Sequence, residues 1–174
     1  SDRGRAVARG VDSRAATAAD HAAARALSAG VAAAQTRRMP EGIADTLRRT
    51  PEHPHWDDVA TRCLGCGACA LSCPTCFCAD IEDTTDIEGK QAERWRVWSS
   101  CYDIDFSLVG EGPVRRSIKS RYRQWLTHKL SSWVDQFGVS GCVGCGRCIA
   151  ACPVGIDLTA EAAALGGEGA DAVA

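Results

Sequence analysis

The chain has 174 residues, of which 24% are charged and 6% aromatic, with a formal net charge of −2 at pH 7. A balance this close to neutral gives no global reason to bind nucleic acid or an anionic membrane, and no apolar run approaches the length of a membrane span. Hydrophobic residues make up 45%, many of them alanine, so the core is expected to be modest and the eleven cysteines to supply inorganic cross-links.

Residues 1–50 are rich in Ala and Arg, as in "SRAATAADHAAARALSAGVAAAQTRRMP", and read as an N-terminal helical arm or linker. Alanine favours helix, and Pro40 with Gly42 interrupts it. The opening "SDRGRAVARG" is not a signal peptide, and Ser1 in place of Met marks the chain as a fragment or the ordered part of something longer. "EGIADTLRR" adds a turn or two of helix. In "EHPHWDDVATR", Asp57 or Asp58 can stabilise the start of a helix that leads into the first cysteines. His53 and His55 flank Pro54 in a loop and are read as surface histidines, with ligation as the alternative.

"CLGCGACALSCP" at residues 63–74 recurs as "CVGCGRCIAACP" at residues 142–153, and the 67 residues between show no further repeat. In that interval, Trp95 and Val97 alternate with Arg94, Arg96 and Trp98, and Gly89 sits in a polar turn, which predicts a small β-hairpin or extended loop. "VRRSIKSRYRQWLTHKLSSWVDQFG" then places Val114, Ile118, Tyr122, Trp125, Leu126, Leu130, Trp133, Val134 and Phe137 in steps of three and four. That spacing predicts one long amphipathic helix from Gly112-Pro113 to Gly138. Arg115, Arg116, Lys119, Arg121, Arg123 and Lys129 fall largely off the stripe, so they read as a solvated face rather than an RNA site, with a secondary role in offsetting negative clusters or docking an acidic partner. A last helix follows Asp157 or Thr159, residues 51–165 make one domain, and residues 166–174 read as a flexible tail.

Each repeat is C-x2-C-x2-C-x3-C-P. Three thiolates at this spacing on a tight loop each take one iron corner of a cubane. The fourth, at the start of a helix, points away and in two-cluster ferredoxins ligates the other cluster. One [4Fe–4S] cluster is therefore assigned to Cys63, Cys66, Cys69 and Cys152, and a second to Cys142, Cys145, Cys148 and Cys73. Zinc explains neither the third closely spaced cysteine nor the twice-repeated Cys-Pro ending. Gly65, Gly67, Ala68, Gly144 and Gly146 let backbone N–H groups approach the cluster sulfides, while Pro74 and Pro153 redirect the chain. A helix between the runs favours an alpha-helical ferredoxin-like dicluster domain, mainly α, over the short connection of a compact bacterial ferredoxin.

Cys76, Cys78 and Cys101 are left over. Three cysteines fall one short of a cluster's four ligands, so they read as reduced, partly buried thiols packed beside a cluster. The alternative is a third cluster completed by His128, an aspartate or a group on another chain. A Cys78–Cys101 disulfide is disfavoured in a reducing compartment. No nucleophile–base pair, phosphate loop or nucleotide fingerprint is present, so the chain is expected to carry electrons and to hold no catalytic residue.

The segments "HPHWDDVATRCLGCGACALSCPTCFCADIEDTTD", "ERWRVWSSC" and "RYRQWLTHKLSSWVDQFGVSGCVGCGRCIAACPVGIDLT" resemble the 4Fe–4S dicluster beta subunits of cytoplasmic NAD(P)-linked [NiFe] hydrogenases, the sulfhydrogenases. They are also similar to the A subunit of anaerobic sulfite reductase. The resemblance spans about residues 52–160 and includes "CPTCFC", "WSSC" and His128-Lys129; family members extend further at the N-terminus. It implies a cytoplasmic hetero-oligomer in which the clusters connect a flavin/NAD(P)-binding subunit with the small and large subunits of a [NiFe] hydrogenase. An anaerobic sulfite reductase or heterodisulfide-reductase-type complex is the alternative assembly, and a non-redox structural metal-binding module is the alternative class. Because Cys76, Cys78 and Cys101 lie inside the matched motifs, the resemblance also gives them weight.

Overall fold

The structure, a computed structural model, describes residues 1–167; the expected tail from Gly166 lies outside this range beyond Gly167. The chain forms two units, Ser1–Arg38 and the part from Met39 onward. The first contains helices α1 (Asp2–Ala8) and α2 (Ala18–Ala34). Ser1 Oγ accepts from the Gly4 N–H to cap α1, and Thr17 with Asp20 forms a reciprocal capping box on α2. Arg14 grips both Asp20 oxygens at 2.6 and 2.9 Å, and with Thr17 it holds that carboxyl well below the usual range. Neither helix buries a residue, so this unit is the helical arm that alanine content predicts.

The second unit begins before residue 50, because α3 (Ile43–Arg49) is part of it: Leu47 is buried against the helices that follow. α4 (His55–Arg62) carries Asp57 and Asp58 in its first turn, as expected, and buries Trp56 and Val59. The Trp56 indole N–H donates to the Thr50 carbonyl at 2.7 Å, tying the α3–α4 loop to the core. The short helix α5 (Ala68–Leu71) lies within the first cysteine run. β1 (Ala79–Thr85) and β2 (Ala92–Trp98) then form an antiparallel hairpin with Ala79 opposite Trp98 and Thr85 opposite Ala92. Arg94 clamps Asp83 across it with two bonds of 2.7 Å. A second, two-residue pairing joins β3 (Leu108–Val109) to β4 (Gly112–Pro113).

The single helix expected from Gly112 to Gly138 is in fact a composite. Gly112-Pro113 is strand, Val114 is exposed, and the helix starts four residues later at α6 (Ile118–Thr127), where Ser117 Oγ accepts from the Ser120 N–H. A π-helical segment, His128–Ser132, follows before α7 (Trp133–Phe137) closes on Gly138, whose φ of 71° suits a residue without a Cβ. Tyr122, Trp125, Leu126 and Leu130 are buried as the stripe predicts, but Phe137 is half exposed. The second cysteine run contains α8 (Arg147–Ala150), and α9 (Leu158–Leu165) is capped by Asp157, which accepts from the Thr159 N–H. Leu158, Ala162 and Leu165 complete the core.

Buried Glu161 of α9 binds α4: Arg62 donates to its two oxygens at 2.9 and 3.0 Å, and His55 Nε2 lies 2.6 Å away. His55 is thus a structural tie rather than a loop residue, and its imidazole is committed to a carboxylate. The basic residues of α6 are similarly engaged: Lys119 pairs with Asp57, Arg123 with Glu52, and Arg121 donates to the Arg115 and Arg116 carbonyls.

Candidate metal centres

Both cysteine runs fold the same way. Gly65, Gly67, Gly144 and Gly146 all have φ between 66° and 71°, the left-handed region in which a Cβ is costly. Gly67 and Gly146 start α5 and α8, which carry the third cysteines, Cys69 and Cys148. Cys73 and Cys152 follow the ends of these short helices rather than opening a helix, as the spacing had been read. α5 and α8 pack against each other, bringing the two runs together.

Cys63, Cys66, Cys69, Cys148 and Cys152 line one cavity of about 440 Å³ of open space, walled by Tyr102, Tyr122 and Trp125. Three thiols of the first run thus share a chamber with the third and fourth of the second. Backbone N–H groups already reach two of these sulfurs, from Gly65 to Cys63 at 3.4 Å and from Ile156 to Cys152 at 3.3 Å. Burial pushes the Cys69 thiol up to about 12. The Tyr122 hydroxyl and the Trp125 indole nitrogen are buried without a protein partner. A chamber lined by five thiols and by orphaned donors fits an inorganic group that offers sulfide acceptors.

Burial, with the charge of its neighbours Cys142, Cys73 and Cys145, the other three members of the second set, pushes the Cys148 thiol up. The outer edges of the two runs are alike: Cys66 and Cys145 are both exposed, and Leu64 and Val143 beside them are each 61% exposed. Cys73 is held from the inside. Lys129 is only 3% exposed, and its Nζ donates to Cys73 Sγ at 3.0 Å, to Thr75 Oγ1 at 3.2 Å and to Cys76 Sγ at 3.6 Å. The Thr75 hydroxyl in turn donates to the Gly141 carbonyl at 2.6 Å, and the Gly141 N–H donates to the Lys129 carbonyl. Burial pushes the Cys73 thiol up, but Thr75 and Lys129 outweigh it and hold it at about 7. Lys129 keeps its proton because its bonds to Cys73 and Cys76 outweigh the burial that works against the charge.

Lys129 therefore does not belong to the solvated basic face. The sequence does carry a signal for this: Lys129 is four residues from Trp125 and three from Leu126, inside the stripe.

A single ion with thiolates at about 2.3 Å draws the sulfurs to about 3.8 Å from one another. Among the described residues, the group of His, Cys, Asp or Glu ligand atoms that all lie within 4.8 Å is His55, Asp58 and Glu161, where Arg62 already supplies the cation. All eleven cysteines are free thiols.

Cys76, Cys78 and Cys101 come together at a separate cavity that His128 also lines. His53 is remote from this chemistry; its Nδ1 accepts from the His55 N–H at 3.1 Å.

No solved structure matches the chain. Sulfhydrogenase 2 subunit beta of Pyrococcus furiosus is 36% identical over 118 residues, 67% of this chain and 34% of the relative, so the chain spans about a third of that protein's length. The model of the 4Fe-4S dicluster domain matches residues 62–156, from just before the first cysteine of one run to just past the last of the other. Two runs with the same left-handed glycines, packed through their short helices and together matched by that description, place the chain in the 4Fe-4S dicluster domain family, with two [4Fe–4S] clusters as its cofactors.

Proposed function

We propose that the chain is a non-catalytic electron-transfer subunit in which Cys63, Cys66, Cys69 and Cys152 hold one cluster, and Cys142, Cys145, Cys148 and Cys73 hold the other. The observation that carries this is the cavity in which thiols of both runs meet, Cys63, Cys66 and Cys69 of the first with Cys148 and Cys152 of the second. When bound, such clusters accept and release single electrons. The protein's own part is to hold the thiolates, aim backbone and side-chain donors at them, and keep water from the first chamber with Tyr102, Tyr122 and Trp125. The Met39 unit is then an alpha-helical ferredoxin-like domain, clipped together by cross-ligation.

The likeness to a sulfhydrogenase beta subunit supports a place in a hetero-oligomeric, cytoplasmic hydrogenase, between a flavin/NAD(P)-binding subunit and the [NiFe] small and large subunits. No described helix is long and apolar enough to cross a membrane. The exposed face around Val143 and Cys145 is the point at which a redox partner comes closest to the second cluster. The test is Cys152→Ser in the anaerobically purified chain. The reading requires iron to fall from the first-run cluster, with loss of its reduced-state EPR signal. If the second-run cluster is lost instead, each run closes its own site and the cross-ligation is wrong; if both persist, Cys152 is not a required ligand of either and the assignment fails. Co-purification of a flavoprotein and a nickel protein identifies the complex; a sirohaem protein in their place identifies a sulfite reductase.

A further inference from the structure

Assigning eight cysteines leaves three, and the fold gathers them with a fourth ligand-bearing side chain. Cys76 and Cys78 lie between α5 and β1, and Cys101 follows β2. The hairpin returns the chain to its start, with the Ser99 N–H donating to the Cys78 carbonyl at 3.0 Å, so Cys101 arrives beside Cys78. His128 opens the π-helical segment. These four residues line one cavity of about 300 Å³ of open space, enclosed by Phe77, Trp125 and Trp133.

Three observations mark a built site rather than leftover thiols. His128 Nε2 lies 2.9 Å from Gln136 Oε1. The Gln136 amide holds the ring through Nε2, the kind of outer contact by which metal-ligating histidines are oriented. The buried Lys129 ammonium donates to Cys76 Sγ at 3.6 Å and supplies positive charge beside the thiols. Trp125, 4% exposed, lines this cavity as well as the first, and its indole N–H has no protein acceptor.

We infer that Cys76, Cys78, Cys101 and His128 bind a third iron–sulfur cluster through three thiolates and one imidazole, beyond the two clusters that the repeated runs account for. Soft thiolates with imidazole suit iron–sulfur or zinc. The missing fourth cysteine is thereby explained: the fourth ligand is a histidine on a different element. Lys129 touches both Cys73 and Cys76, and Trp125 lines both cavities, so the third centre adjoins each of the other two. Imidazole in place of thiolate raises a cluster's potential, which makes this centre the electron sink of the three. The assignment stands on these residues whichever complex the chain serves.

The test is chemical iron and sulfide analysis with pulsed EPR on the full chain, purified anaerobically. The wild type is expected to hold about twelve irons, falling to about eight in Cys101→Ser and in Cys78→Ser. Reduced wild type should show a directly bound ¹⁴N coupling that disappears in His128→Cys while iron stays near about twelve; this variant keeps four ligands and so tests the site even if the serine variants fail to fold. About eight irons in the wild type, with Cys78 and Cys101 alkylatable or disulfide-linked, would overturn the inference, as would one zinc per chain. An iron content near eight with reversible reduction defeats the third centre alone, whereas loss of all iron defeats the electron-transfer reading too.

Discussion

Lys129→Met removes one buried charge from beside Cys73, and at longer range Cys76, while methionine keeps an unbranched apolar stem. With Nζ 3.0 Å from Cys73 Sγ, a full charge on that sulfur at an effective dielectric of about 20 interacts by about 5.5 kcal/mol. An electron added to a cluster is shared over all its atoms, so the part that differs between oxidised and reduced states is about half of this or less, roughly 2–3 kcal/mol. At 59 mV for each factor of ten in a one-electron couple, that is about 90–130 mV. The sign follows from charge: the ammonium stabilises the more negative, reduced state, so its loss lowers the potential. Solvent screens little of this, because Lys129 is 3% exposed. EPR-monitored potentiometric titration of wild type and variant at equal iron content is the assay. The couple of the Cys73-bound cluster should fall by about 100 mV while that of the Cys63 cavity stays put. An upward shift, an equal shift in both couples, or no shift at full iron content would refute the placement of this charge.

Other substitutions probe the supporting structure. A Cβ on Gly141 would sit 2.6 Å from the Trp133 ring and 2.7 Å from the Lys129 carbonyl, neither of which can yield easily. Gly141→Ala is therefore expected to cost about 2–3 kcal/mol, seen as a clear drop in the apparent melting temperature. Glu161→Gln weakens the tie from α9 to Arg62 and His55; with Arg62 43% exposed, the expected loss is only about 1–2 kcal/mol in denaturant unfolding. Cys145→Ser should remove the second-run cluster and destabilise the first through the shared fold, measured as iron loss together with a lower melting temperature.

The dicluster domain was open to sequence reading because cluster chemistry fixes local spacing: three cysteines within seven residues and a Cys-Pro ending, twice over, need no tertiary information. The hairpin, the α2 helix and the Asp157 cap were equally local. What escaped depends on contacts between distant segments. His128 could be named from sequence only as one of several partners for Cys76, Cys78 and Cys101, because the hairpin closure and the π-helical segment are what bring it to their cavity. Lys129 was misread for a different reason: a charged residue was assigned to the polar face by its type, although its spacing from Trp125 and Leu126 put it on the buried one. The helix start was misplaced because Gly112-Pro113 has the composition of a helix entry yet pairs with Leu108–Val109 as strand, leaving Ser117 to supply the cap.

The central claim is that this chain carries electrons on [4Fe–4S] clusters held across its two cysteine runs. Mössbauer and EPR spectra of the anaerobically isolated protein, taken through one cycle of reduction and reoxidation, test it most directly. The account predicts [4Fe–4S] signals that convert to the reduced form and return in full. Zinc in the cysteine sites, or clusters that hold one oxidation state throughout the cycle, would contradict it.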